Sequence, residues 1–240
     1  GGDVPVPAYL GHHPGGGPGR VDTGLHPSVA TDPKDNLGRF SARHYTLERG
    51  SDVVSQLRER GIAPSDVAAV VLTHLHNDHA SAISQFPESI FVVSEQEWAE
   101  ATTVRAPVLH GYRRAHYDHA VDWCTVDFDA DFIDSYGPFG RTFDLFGDGS
   151  VRLAFTPGHS AGHISVICRL PRRDFVIVGD AAYDWAQFRG SAEPLLIQDE
   201  HNWQRSLREL RAYRDAYPYA VLVPGHDPEF WEKLESRYEE

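Results

Sequence analysis

The sequence predicts a mixed α/β protein, and three observations carry that reading. Continuous apolar runs recur through the chain, as in "VAAVVLT", "SIFVVSE", "HISVICRL", "DFVIVGD" and "YAVLVP". Runs without alternation suit strands buried on both faces. Between them lie segments with helical periodicity, "SDVVSQLRERG" and "NWQRSLRELRAYRD". A third signal is the Asp148-Gly149 pair inside "RTFDLFGDGSVRLAFT", which marks a β-hairpin.

The elements follow in order. Val4 to Leu10 alternates apolar residues with Pro and reads as an edge strand. "HHPGGGPGR" reads as a turn, and "VDTG" as a second short strand ending in a tight loop. Ser51 caps the first amphipathic helix and Gly61 closes it. The runs ending at Thr73 and Glu95 are buried strands, the second opening into the helix "EQEWAEA". From about residue 98 to 146 strand alternation fades and aromatic residues crowd: Trp98, Tyr112, Tyr117, Trp123, Phe128, Phe132, Tyr136 and Phe139. This segment is expected to be a helical and loop insertion. Its rings suit either an apolar pocket wall, or ordinary packing or a dimer contact. Hairpin, two buried strands, a helix and a last strand complete the chain. No fixed-period repeat occurs.

At 240 residues and 41% hydrophobic, the chain suits one domain, residues 1–240, or two tightly fused halves. No apolar run is long enough to span a membrane, and the N-terminal stretch lacks the pattern of a secretory signal. The lack of Met throughout suggests a trimmed N-terminus. Cys124 and Cys168 stand far apart, which reads as two free, buried thiols in a reducing cytoplasm. A net charge of −13 disfavours a nucleic-acid partner.

The chemistry gathers where apolar runs end. In "THLHNDHA", His74 and His76 are two apart, so on an extended strand end both point one way. A turn at Asn77 brings Asp78 and His79 back toward the same space. Three further runs end in "TPGHSAGH" with His159, "VGDAAY" with Asp180, and "VPGHD" with His226. Ligands in α/β folds collect at such carboxyl ends of strands. Five histidines and two aspartates are enough donors for two metal ions. Asp22 of "VDTG" reads as a residue that ties down a loop or orients a ligating histidine. His163 reads as structural, and "HYDH" (His116 to His119) as a solvated helix face.

The set His74, His76, Asp78, His79, His159, Asp180 and His226 resembles the metallo-β-lactamase superfamily over nearly the whole chain. That resemblance implies an αββα four-layer sandwich of two mixed sheets with outer helices. It assigns His74, His76 and His159 to one metal, Asp78, His79 and His226 to the other, and Asp180 to both. Within the superfamily the chain looks most like the N-acyl-homoserine lactonase group. The opening "VPVPAYLGHHPGGGPGRVDTGLHP", the motif "TPGHSAGHISV" and Tyr183, three residues after Asp180, carry this likeness. One departure is Ser81-Ala82, where many relatives have a Gly pair.

The implied cofactors are two divalent ions, zinc by default, with Co, Mn or Fe as alternatives. The implied reaction is attack of a metal-bridging hydroxide on the carbonyl of a small-molecule lactone. Tyr183 stabilises the charged oxygen, and Asp78 carries a proton to the leaving oxygen. The family suggests a homodimer. The rival within the superfamily is a glyoxalase II-like thioesterase, and the rival of a different class is a di-iron electron-transfer protein of the same fold.

Overall fold

The computed structural model describes residues 4–119, 121–193 and 196–238. Two compact units divide it, an N-terminal one of Val6–Val93 and Trp98–Thr125, and a C-terminal one of Gly1–Pro5, Ser94–Glu97 and Val126–Glu240.

The N-terminal unit is built on a five-stranded sheet in the order β1-β2-β3-β4-β5. Its strands are β1 (Tyr9–His13), β2 (Gly17–Val21), β3 (Ala69–Val71), β4 (Ile90–Ser94) and β5 (Asp122–Val126). β1 and β2 pair antiparallel, whereas β2–β3 and β3–β4 pair parallel, so the sheet is mixed. The edge strand thus starts later than the alternation of Val4 to Leu10 suggests. His13 pairs with Gly17, so the turn shrinks to Pro14–Gly16, and the glycines expected in it extend β2 instead. Helices α1 (Pro33–Ser41), α2 (Val53–Glu59), α3 (Asn77–Ala80) and α4 (Glu95–Thr103) follow in order. Asp52, not Ser51, caps α2, because its carboxylate accepts the Ser55 N–H at 2.8 Å. Either side chain can cap; the backbone makes Asp52 the last extended residue. The core gathers Val70, Leu72, Leu75, Ile83, Phe86, Phe91 and Val93 with Leu57 of α2.

The C-terminal unit carries a six-stranded mixed sheet in the order β11-β10-β9-β8-β7-β6. These are β6 (Asp134–Tyr136), β7 (Phe139–Asp144), β8 (Val151–Phe155), β9 (Ile164–Arg169), β10 (Asp174–Gly179) and β11 (Val221–Pro224). All neighbours pair antiparallel except β10 with β11, which run parallel. The hairpin expected at Asp148-Gly149 is the β7–β8 connection. Helices α5 (Trp185–Arg189), α6 (Glu200–Ala216) and α7 (Pro228–Trp231) complete the unit. α6 buries Trp203, Leu207, Leu210 and Tyr213 against Ile167, Val176, Val178 and Leu222 of the sheet.

Two further expectations need correction. Residues 98–146 hold β5 and β6, besides the expected first hairpin strand β7, rather than helix and loop alone. The aromatic residues there are shared between two cores. Trp98 meets Tyr117 and Trp123 in one unit, while Phe128 stacks on Phe155 and Phe139 lies against Tyr213 in the other. The thiols also differ from expectation, because Cys124 is exposed on the short strand β5. Burial pushes the Cys168 thiol up to about 12.

Candidate metal centre

In the N-terminal unit the buried strand β3 runs out through Leu72 and Thr73 into His74-Leu75-His76, and α3 starts at Asn77. His76 keeps extended backbone (φ −68°, ψ 160°) as the residue before the helix. The ring of His74 lies 4.5 Å from that of His76 and 4.1 Å from that of His79, centre to centre. The turn into α3 therefore does what the spacing suggests and gathers three imidazoles. Asp78, in the first turn of α3, brings its Oδ2 to 3.8 Å from His79 Nε2. Gly111 makes room for His76, since a Cβ there would fall 2.7 Å from the imidazole Cδ2.

Asp22 organises these rings from behind. It has left-handed backbone (φ 60°), uncommon for a residue with a side chain. That conformation turns its carboxylate onto Thr73, whose N–H it accepts at 2.8 Å and whose hydroxyl it accepts at 2.9 Å. The same carboxylate accepts His79 Nδ1–H at 2.8 Å. With its proton given to Asp22, the Thr73 hydroxyl is left to accept His74 Nδ1–H at 3.1 Å. Thr23 grips the other end of His79, its N–H and hydroxyl both donating to the His79 carbonyl. Behind Asp22 lies Arg20, which donates to the Asp22 carbonyl at 3.1 Å. Burial lowers this guanidinium to about 9, against the pull of the Asp22 charge.

In the C-terminal unit, three strand ends deliver His159, Asp180 and His226. His226 donates Nδ1–H to the Pro5 carbonyl at 2.8 Å, and its Nε2 lies 3.2 Å from Asp180 Oδ1. His159 donates Nδ1–H to the Leu196 carbonyl at 3.2 Å, and its Nε2 lies 3.4 Å from Asp180 Oδ2. Gly225 permits the Asp180 carboxylate to come so near, because a Cβ there would stand 2.4 Å from Oδ1. His163 is a strut, as expected: its Nε2 accepts the Asp180 N–H at 3.0 Å, and its Nδ1 meets the Thr156 hydroxyl at 3.0 Å. Tyr183 sets its ring edge-on to His159 and His226, at 5.5 and 5.3 Å, with its hydroxyl 3.5 Å from His159 Nδ1.

These tautomers decide what the donor set fits. A carbonyl or carboxylate can only accept, so Nδ1 carries the proton in His79, His159 and His226. In its neutral form each ring presents a lone pair on Nε2, and in His159 and His226 that nitrogen faces Asp180. Two acceptors facing each other repel unless a proton or a metal ion joins them. Neutral imidazole nitrogen with carboxylate oxygen is the ligand chemistry of zinc and similar divalent ions. The residues fit a metal.

"HYDH" has no such role. His116 is buried in a single helical turn, donating Nε2–H to the Asn36 carbonyl at 2.9 Å, so it does not lie on a solvated helix face. Residues that sequence reasoning missed are Thr73, Thr23, Gly111 and Glu97. Only Glu97 had a signal, the Ser-x-x-Glu pattern of residues 94–97.

A family model described as the metallo-beta-lactamase superfamily matches residues 21–226. The chain belongs to the metallo-beta-lactamase superfamily. Its relatives include an N-acyl homoserine lactonase, AttM, of Rhizobium radiobacter, 33% identical over 232 residues that cover 95% of this chain and 84% of that protein. A γ-lactamase of Gibberella moniliformis is 30% identical over 177 residues, covering 71% of this chain and 72% of that protein. Among solved structures, a variant of the B. thuringiensis protein AiiA with N-decanoyl-L-homoserine bound at its active site matches with a TM-score of 0.78 at 21% identity, over 97% of this chain and 85% of that one. The fold, two mixed sheets with helices, is the α/β fold that the resemblance implied.

Proposed function

We propose that this protein is a metal-dependent hydrolase that opens lactone rings, with N-acyl homoserine lactones as its substrates, at a centre of two divalent ions. The observation that carries the metal reading is the tautomer lock, which turns the Nε2 of His159 and His226 toward Asp180. The substrate reading draws on the lactonase relatives, which match nearly the whole chain. His74, His76 and His159 would hold one ion, Asp78, His79 and His226 the other, with Asp180 between them. Zinc is the expected metal, with cobalt, manganese or iron as replacements. Bound divalent ions supply Lewis acidity and lower the pKa of water, so that a nucleophile exists at neutral pH.

The chain's own groups do the rest. Tyr183, steadied by its contacts with two ligand rings, donates its hydroxyl to the carbonyl oxygen as that oxygen gains charge. Asp78 takes the proton of the attacking water and passes it to the ring oxygen as the ester bond breaks. Asp22 and Thr73 hold the Nδ1 protons of His79 and His74 and keep both rings aimed. The same reading takes the protein to be cytoplasmic, in keeping with its two free thiols, and to act as a homodimer. No helix among the described residues is long and apolar enough to cross a membrane. The net charge of −13 supports a small-molecule substrate over nucleic acid.

A substrate panel on zinc-loaded protein tests this. Acid release is followed with acyl-homoserine lactones, plain aliphatic lactones, a γ-lactam, S-lactoylglutathione, a cephalosporin and a phosphodiester. The reading expects acyl-homoserine lactones to turn over fastest; faster thioester or lactam cleavage overturns it. Tyr183→Phe should lower lactone turnover about a hundredfold with metal content unchanged. Unchanged turnover removes Tyr183 from the reaction.

A further inference from the structure

Ser94 to Glu97 spells Ser-x-x-Glu at the start of α4, the signature of a capping box. One arm of that box forms, since the Ser94 hydroxyl accepts the Glu97 N–H at 3.0 Å. The Glu97 carboxylate also reaches beyond its own helix, accepting the Ser160 hydroxyl at 2.7 Å and the Gly162 N–H at 3.0 Å. Ser94 meanwhile donates to the Gly162 carbonyl at 2.6 Å. Residue 162 is thereby gripped at both its N–H and its C=O, so closely that a Cβ on it would stand 2.1 Å from the Glu97 nitrogen. Glu97 is fully buried. A buried carboxylate is costly, so one spent on a loop needs a reason.

The loop supplies the reason. Ser160 follows His159, and Gly162 precedes His163, whose Nε2 accepts the Asp180 N–H. We propose that Glu97 is a positioning residue for the metal centre, fixing His159 through Ser160 and Asp180 through Gly162 and His163. This rests on the reading that His159 and Asp180 hold metal. Charge-assisted hydrogen bonds are shorter and about twice as strong as neutral ones, which suits an anchor for a ligand arm. Glu97 acts on the aim of two ligands and touches no substrate.

The test compares wild type, Glu97→Ala, Glu97→Gln, Ser160→Ala and His159→Ala. Zinc affinity is read by competition with a chromogenic chelator, the visible spectrum after cobalt substitution, and the melting temperature of the metal-free protein. Glu97→Ala should weaken zinc binding about 10- to 100-fold and shift the cobalt bands, as loss of a group that orients ligands does. Glu97→Gln keeps an acceptor in place and should recover most of that loss. Ser160→Ala removes one hydrogen bond, should lose affinity several-fold, and serves where Glu97→Ala does not fold. A change confined to melting temperature, or equal losses in Glu97→Ala and Glu97→Gln, overturns the proposal. Wild type that binds no zinc, or His159→Ala that binds it as tightly as wild type, overturns the metal reading and this inference with it. Weakening by His159→Ala without weakening by the Glu97 or Ser160 variants overturns this inference alone.

Discussion

Asp22 shows how much one side chain away from the ligands can settle. Its carboxylate takes hydrogen bonds from the Thr73 backbone, the Thr73 hydroxyl and His79 Nδ1, so it fixes the tautomers of His79 directly and of His74 through Thr73. Groups in such positions raise ligand basicity and hold ring orientation. Asp22→Ala is therefore expected to weaken zinc affinity about 10- to 100-fold, read by chelator competition. Affinity within about twofold of wild type would show that the His79 ring is held without it. The proposed ligands were legible in the sequence because they are residues of metal-binding type gathered where apolar runs end. Thr73 was not. Its value lies in meeting Asp22 across 51 positions of sequence, and threonine after a strand carries no signal of its own.

Among the elements, the loop of residues 156–163 is held by close backbone contacts. Gly158 has φ 131°, and a Cβ on it would stand 2.2 Å from the Trp203 backbone nitrogen. Its carbonyl accepts the N–H groups of Gln198 and Asp199, and Ser206 donates to the Pro157 carbonyl at 2.8 Å. Helix α6 and the histidine-bearing loop are therefore packed directly against each other. Gly158→Ala should lower unfolding stability by about 2–4 kcal/mol, read from the urea midpoint at constant slope. A loss under about 0.5 kcal/mol would contradict so close an approach. Sequence gave the order of these elements well and their edges less well. Ser51 and Asp52 are both good caps, and only backbone geometry chooses between them. Strands β5 and β6 escaped notice because they are short and half-exposed, with their aromatic residues divided between two cores.

For the whole molecule, acid sensitivity follows from a histidine outside the metal centre. Burial holds His116 down at about 4, with the Asn36 carbonyl opposing, whereas the unfolded chain titrates at about 6.5. Between those values the unfolded state binds more protons, so stability rises with pH there. The contribution is complete above about 6.5 and is lost as pH falls toward 4, at no more than about 1.4 kcal/mol per pH unit. His116→Gln should flatten the stability–pH curve between pH 4 and 6.5 in urea titrations; an unchanged slope would contradict the assignment. Family membership spans residues 21–226, so the fold and the proposed ligands come from the same stretch of chain.

The central claim is that the seven proposed ligands serve two metal ions. It is tested most directly by counting bound zinc by mass spectrometry under native conditions after equilibrium dialysis. Two ions per chain in wild type, falling in His159→Ala, is the predicted result. One ion or none in fully folded wild-type protein would contradict it.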